Sequence, residues 1–206
     1  MGFLVFSLTI HGADNWELIR NDDGIKVFSK KNDHSGYIEI KGISSVYTNL
    51  KACVALMNDV DNFKQWMHAT EEASLIKRSG EYQFSYYLHS DIPWPAKDRD
   101  VVINLRILRN PKTRTIYTKS HNITGVIPVK EDIQRISSVN SSWEFTPLKN
   151  NEIQIIFKTR VQTGIDLPDW LANKIYHLGP FHTIKNMKQI IQKEKYQSAD
   201  INLNEI

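Results

Sequence analysis

The sequence predicts an α+β domain in which a curved antiparallel sheet grips one long C-terminal helix. Two observations carry this reading. From Glu72 to Thr163 strand-like segments follow one another at short intervals with turn residues between them, the pattern of antiparallel order. From Leu171 onward the apolar residues Ile175, Leu178, Phe181, Ile184, Met187 and Ile191 then recur at helical spacing on one face, which something apolar must cover. At 206 residues the chain is long enough for one such domain with a sizeable core. We assign it to residues 14–195, with an apolar segment 1–13 before it and a non-periodic tail 196–206 expected to be mobile.

The elements follow in order. Asp14-Asn15-Trp16-Glu17 has the spacing of a capping box and predicts a short helix to about Arg20. Asn21-Asp22-Asp23-Gly24 is a turn, since Gly24 reaches positive φ at little steric cost. Ile25 to Lys30 and Tyr37 to Tyr47 form a hairpin rich in β-branched residues. Thr48 or Asn49 caps a helix that buries Leu50, Cys53, Val54, Leu56, Met57 and Val60 and stops near Asp61-Asn62. Strands are expected at Glu72 to Lys77, Glu81 to His89, Asp100 to Leu108, Thr115 to Asn122, Ile133 to Phe145 and Glu152 to Thr163. Ser79-Gly80, Pro93-Trp94-Pro95, Asn110-Pro111 and Asn150-Asn151 supply turns. The final helix runs from Pro168 to about Lys195, with Gly179-Pro180 inside it as a static kink or a point where the helix can swing.

The totals exclude several function classes. Twenty-six basic against 23 acidic residues is not the footprint of a nucleic-acid binder. Cys53 is the one cysteine, so there is neither a disulfide framework nor a multi-cysteine metal site. The seven histidines are dispersed, and there is no His-Glu-x-x-His motif, phosphate-binding glycine loop or Gly-x-Ser-x-Gly elbow. No cofactor, metal or catalytic residue is expected. The run Phe3 to Ile10 followed by His11-Gly12-Ala13 resembles the end of a secretion signal but lacks a preceding Lys or Arg, and it is too short to span a bilayer. Cytoplasmic and exported locations both stay open.

The stretch Asp91 to Val102 is where recognition chemistry concentrates. Two prolines stiffen a loop that carries Trp94, and a charged cluster then enters a strand. Alternation puts Arg99, Val101, Ile103 and Leu105 on one, more apolar face, with Arg99 at its rim. Arg99 either pairs with a carboxylate of the fold or meets a polar ligand head with its planar fork. Phe84, Tyr86 and Leu88 on one strand, and Ile155, Phe157 and Thr159 on the last, also face inward as core or cavity wall. His182, one turn past Leu178, is either a satisfied core histidine or a ligand contact.

Taken in order, Pro93-Trp94-Pro95, Asp98-Arg99-Asp100, the Arg135 strand, Trp143 to Pro147 and Gly164-Ile165-Asp166-Leu167-Pro168-Asp169-Trp170-Leu171-Ala172-Asn173 resemble the steroidogenic acute regulatory protein-related lipid-transfer (START) domain of the bacterial, single-domain type. The resemblance spans roughly residues 14 to 192. It implies a helix-grip fold enclosing a tunnel for a lipid or other hydrophobic molecule, with Arg99 as the arginine that contacts the lipid head in some members. Some sterol-binding members carry a second arginine deeper on that strand. Here the in-phase residue is Leu105, and Arg106 points away.

The expected function is therefore binding, and possibly transfer, of a lipid by a monomer with transient membrane contact. Trp94 is the expected contact, with Lys185, Lys188, Lys193 and Lys195 meeting anionic head groups. The expected ligand-binding set is Arg99, Val101, Ile103, Leu105, Phe84, Tyr86, Leu88, Ile155, Phe157, Thr159, Leu171, Ile175, Leu178, Phe181 and His182. The alternative is a cyclase- or hydratase-like enzyme on the same fold, for which His182, Tyr86 and Arg99 are the available acid–base candidates.

Overall fold

A computed structural model describes residues 16–31, 37–162 and 169–206. Its elements are β1 (Glu17–Asp22), β2 (Ile25–Lys31), β3 (Ile38–Tyr47), α1 (Leu50–Asn58), β4 (Thr70–Gly80), β5 (Gln83–Ser90), β6 (Arg99–Arg109), β7 (Ile116–Asn122), β8 (Gln134–Arg135), β9 (Ser138–Pro147), β10 (Glu152–Gln162), α2 (Asp169–Ile190) and α3 (Glu194–Gln197). The strands form one sheet in the order β1-β2-β3-β10-β9-β7-β6-β5-β4, antiparallel throughout, with β8 added parallel to β6. This is the curved sheet with a C-terminal helix that the sequence predicts. The apolar segment 1–13 lies outside the described residues.

Turn chemistry explains much of the sheet's register. Asp23 and Gly24 both have positive φ and close a two-residue hairpin between β1 and β2, whereas Asn150 and Asn151, also at positive φ, lie at the centre of a longer hairpin between β9 and β10 in which the Glu152 amide donates to the Lys149 carbonyl. The first of these hairpins overturns the short helix expected up to Arg20. Residues 17–22 pair with β2 from Glu17 opposite Ser29 to Asp22 opposite Ile25, because the tight turn brings them back along β2 and a full ladder outweighs a marginal two-turn helix. The Asp14-Asn15 part of the proposed cap lies outside the described residues.

Asn49 caps α1 as expected, accepting from the Ala52 amide at 2.9 Å. That helix ends at Asn58, and a 3-10 turn, Val60–Gln65, follows and buries Val60 and Phe63. The single strand expected from Ile133 to Phe145 is two: β8 runs beside the start of β6, and β9 leaves to pair with β7 and β10. The break lets Arg135 reach the start of β6 while Trp143 and Phe145 turn into the core.

α2 lies across β2 and β3 and buries Phe181, Ile184 and Met187 against the sheet, with Ile191 buried just past its end. Each such side chain contributes about 1.5–3 kcal/mol of burial before ordering costs. Gly42 of β3 permits this approach, since a Cβ there would overlap Ile184 Cδ1 and touch Pro180. The helix passes through Pro180 and stops at Ile190, earlier than the expected Lys195. The chain turns there so that Tyr196 can bury its ring and donate its hydroxyl to Asp59 Oδ2 at 2.8 Å. The segment expected to be a mobile tail is thus packed: Gln197 bonds Thr48 and the Ile191 carbonyl, and Ile201, Leu203 and Ile206 lie against the core.

Candidate functional site

A cavity of about 550 Å³ lies between α2 and the sheet, at the end where β5 passes into β6. Parity builds its sheet wall. Phe157, Thr159 and Val161 alternate along β10, and the register with β3 sets Ile40 opposite Thr159. Ile175, Leu178, Gly179, Pro180 and Thr183 of α2 form the facing wall, and His68, Ala69, Ser90, Asp91, Ile92, Pro93, Ile136 and Arg99 close the rim.

Arg99 is the buried cation of this wall. It opens β6 opposite Ser90 and is only 4% exposed. Its Nη1 donates to the backbone carbonyls of Lys97 and Asp98, whereas its buried Nη2 has no hydrogen-bond partner among the described residues. Burial lowers its pKa from the ordinary value, and the Asp98 charge opposes that shift. Asp98 makes no direct pair with it. One Asp98 oxygen accepts from the Ile92 amide at 3.0 Å and the other meets His89 Nε2 at 2.9 Å. The Ile92 amide, then the histidine, hold that carboxyl below the usual carboxylate range, and together they clamp both ends of the Pro93-Trp94-Pro95 loop. Trp94 at the tip is 88% exposed.

The next residue, Asp100, faces the other side of the sheet and is fully paired. Arg135 donates to it through Nε at 2.6 Å and Nη2 at 2.8 Å, and Tyr87 adds its hydroxyl at 3.3 Å. Arg135 also bonds the carbonyls of Ile127 and Pro128, fixing a second loop beside the first. Among the described residues Arg99 thus has no carboxylate in ion-pair contact, and Arg135 takes Asp100.

Of the expected ligand-binding residues, the structure gathers Arg99, Phe157, Thr159, Ile175 and Leu178 on the cavity wall. Val101, Ile103, Leu105, Phe84, Tyr86, Ile155 and Phe181 belong to the packed core, with Leu88 half-buried against it. Leu171 is outside the residues whose side chains are described. A chain of rings runs from the cavity-wall residue Phe157 into the core. Phe157 packs on Trp143 at 4.5 Å between centroids, Trp143 on Trp66 at 5.7 Å, Trp66 on Phe63 at 5.4 Å and Phe63 on Tyr86 at 5.2 Å. His182 stacks on His68 at 4.9 Å and meets the edge of Phe181, so it reaches the site through His68. Partial burial, then His182, lowers the His68 pKa; burial, then Arg20 and Lys185, lowers that of His182. Thr183 Oγ1 accepts from the His68 amide at 3.0 Å.

Strand parity would have added Val161, which is in phase with Phe157 and Thr159. His68, Ala69 and the rim from Asp91 to Pro93 come from loops, where no periodicity marks them. The helix lysines expected to meet a membrane are engaged within the fold: Lys185 with Asp23, Lys188 with Ser44, Lys193 with Gln65 and Lys195 with Asp59. Among the described residues no three His, Cys, Asp or Glu side chains are grouped to hold a metal ion, and no helix is long and apolar enough to cross a membrane.

Profiles of known protein families give no match to the sequence. A protein of Pseudomonas aeruginosa described as uncharacterized is 26% identical over 181 residues, covering 88% of this chain and 89% of its own. Among solved structures, a STAR-related lipid transfer protein from Xanthomonas axonopodis superposes with a TM-score of 0.79 at 23% identity, over 87% of this chain and all of the other. Human STARD10 superposes at 0.75 and 18% identity, over 89% and 76% of the two chains. The fold is that of a START domain. Human StAR-related lipid transfer protein 5 matches it as well, with a TM-score of 0.73 at 14% identity over 88% of each chain. In this START fold the grip of the sheet on α2 is completed by core at one end and by the cavity at the other.

Proposed function

We propose that this START-fold protein is a non-catalytic carrier that holds one lipid or similar apolar molecule between the sheet and α2. The observation that carries the reading is the cavity itself: a mostly aliphatic and aromatic wall interrupted by one buried arginine with an unpartnered Nη2 among the described residues. Apolar walls supply binding at about 25 cal/mol per Å² of surface removed from water, before ordering costs. Arg99 orients the polar end. The similarity to two proteins whose names describe lipid transfer supports the same class of ligand.

Loading requires the rim to meet a membrane, and the exposed Trp94 is the group suited to that contact. An enzymatic reading finds less support. Tyr86 lies in the core with its hydroxyl pKa raised by burial, His182 stands behind His68, and the ionisable wall residues Arg99, Asp91 and His68 form no bonded pair among the described residues. Native mass spectrometry after mild purification, with displacement of a fluorescent lipid as a second readout, tests the proposal. Bound apolar molecules are expected, and a protein that displaces no probe and gains no thermal stability from any lipid class would refute it.

A further inference from the structure

We propose that the outer face of the sheet, turned away from α2, is a docking surface for an extended acidic segment of a partner protein. The proposal is independent of what the cavity holds and starts from side-chain parity. Phe157, Thr159 and Val161 of β10 line the cavity, so Lys158 and Arg160 between them point outward and are exposed. The register then aligns a row of outer positions across five strands: Lys41 of β3 opposite Lys158, Lys158 opposite Ser142 of β9, and Lys119 of β7 opposite Arg106 of β6. The pairing of Ser120 with Ser141 sets Lys119 beside Ser142 and completes the row. Arg160, Asn140 and His121 form the next row, two residues along the strands.

Like charges directly opposite one another disfavour strand pairing, yet this row holds two such pairs, Lys41 with Lys158 and Lys119 with Arg106. Compensation within the fold is small. Among the described residues Lys158 meets Glu144 at 3.0 Å and Arg160 lies 3.8 Å from Glu39, whereas Lys41, Lys119 and Arg106 have no carboxylate in ion-pair contact. Lys41 lies over the Trp16 and Phe28 rings instead, at 4.4 and 5.0 Å. Lys185, Lys188, Lys193 and Lys195 by contrast each donate to an oxygen inside the fold. Between the two halves of the row β9 presents the short side chains of Ser142 and Asn140, which leaves an open recess bordered by Lys158, Arg160, Lys119 and His121.

Spacing selects the partner. At ~4.8 Å between strands the four cations of the row stand at about 0, 5, 14 and 19 Å, and alternate side chains of an extended chain, ~6.7 Å apart, fall at about 0, 7, 13 and 20 Å. A segment with four alternate acidic residues therefore matches all four within the reach of flexible stems. Glu39 and Glu144 interrupt the band, and none of the exposed large apolar side chains lies on these two rows. An anionic lipid surface thus finds neither unbroken charge nor an apolar anchor here.

The test uses the full chain and a fluorescein-labelled peptide of about eight residues, Glu alternating with Ser, with the Gln–Ser peptide as its uncharged match, read by fluorescence anisotropy. The Glu peptide is expected to bind at least about tenfold more tightly than the Gln peptide and to lose most of that margin between ~50 and ~300 mM salt. Ser142→Glu, which sets a carboxylate in the recess, should weaken Glu-peptide binding at least about tenfold without lowering the thermal midpoint, since the new charge offsets the like-charge pairs. The double variant Lys119→Gln/Lys158→Gln should weaken it equally, and Lys112→Gln/Lys149→Gln, at two exposed lysines outside the rows, should bind within about twofold of the parent. Equal affinity for the two peptides, equal loss in the two double variants, or full binding by Ser142→Glu would overturn the proposal and leave the carrier reading untouched. Phosphatidylcholine–phosphatidylglycerol vesicles are the second probe: vesicle capture that depends on Lys119 and Lys158, with the Glu peptide left unbound, would make the face a membrane contact and overturn the proposal as well.

Discussion

Arg99 and Asp100 are consecutive residues on β6 that face opposite sides of the sheet, and among the described residues only the second has an ion-pair partner. Asp100 is held by two Arg135 nitrogens and the Tyr87 hydroxyl, whereas Arg99 donates to two backbone carbonyls and keeps Nη2 buried without a hydrogen-bond partner among the described residues. Substitutions at the two should therefore move stability unequally. Asp100→Asn breaks a pair in which the carboxylate side chain is fully buried and should cost about 3–5 kcal/mol. Arg99→Met removes a desolvated cation and should leave stability unchanged or slightly raised. Urea midpoints at constant m-value measure both, and a loss at Arg99 equal to that at Asp100 would contradict the division of roles.

Gly42 is the point where α2 touches β3. A Cβ at this position would overlap Ile184 Cδ1, and Ile184 is completely buried and cannot swing aside into solvent. Gly42→Ala should destabilise the protein by about 1–3 kcal/mol, as expected for overpacking, and Gly42→Val by more. The displacement falls beside Pro180 on the cavity wall, so ligand affinity should drop along with the thermal midpoint. A Gly42→Ala protein of unchanged or higher stability would show that the helix is not seated on this glycine.

Particular residues show how far the sequence was readable. The 3.6-residue period of α2 placed Phe181, Ile184 and Met187 against the sheet, and the two-residue period of β6 placed Arg99 and Leu105 on the inner side, because burial imposes those periods directly. The capping-box spacing at Asp14 to Glu17 misled, since a local helix signal does not register the hairpin partner that Asp23-Gly24 brings back onto β2. Tyr196 was missed for a similar reason: its burial follows from Asp59, 137 positions away, and no neighbouring residue signals it. The cavity was legible only as a set of inward positions. Which of them touch open space depends on the ring stack from Phe157 to Tyr86, where one packed apolar side chain looks the same in sequence as another.

Trp94 lies at the tip of a loop clamped by Asp98, with Val126 and Val129 exposed on the loop that Arg135 fixes beside it. Lys97 ties the two loops by donating to the Glu131 carbonyl at 3.1 Å. These three exposed apolar side chains on two braced loops form the surface on which the proposed membrane contact rests. Trp94→Ala should weaken binding to phosphatidylcholine–phosphatidylglycerol vesicles by about tenfold, equivalent to about 1.4 kcal/mol, and shift the unfolding free energy by less than about 0.5 kcal/mol. Vesicle co-sedimentation and thermal melts decide it, and unchanged sedimentation would remove the loop from the membrane contact.

The stacked rings of His68 and His182 join α2 to the cavity rim, and acid is expected to weaken this joint. Both pKa values are lowered by partial burial; His68 is further lowered by His182, and His182 by the facing cations Arg20 and Lys185. Arg20 also lies over the Phe181 ring at 3.5 Å, and Lys185 is held by Asp23, so the positive charge around His182 is fixed in place. The folded state thus binds these two protons less readily than the unfolded chain does. Stability should be fully present above pH ~6.5, the ordinary histidine value, and fall as pH drops from there toward the lower folded-state values, after which this contribution levels off. Asp23, Asp59 and Asp98 also have lowered values, but they start from the carboxylate range, and their losses come at lower pH. Urea denaturation between pH 7.5 and 5 therefore isolates the histidines. His182→Gln should flatten the slope in that window by removing one titrating ring and releasing the other from its neighbour, and a slope that persists unchanged in His182→Gln and in His68→Gln would place the acid sensitivity elsewhere.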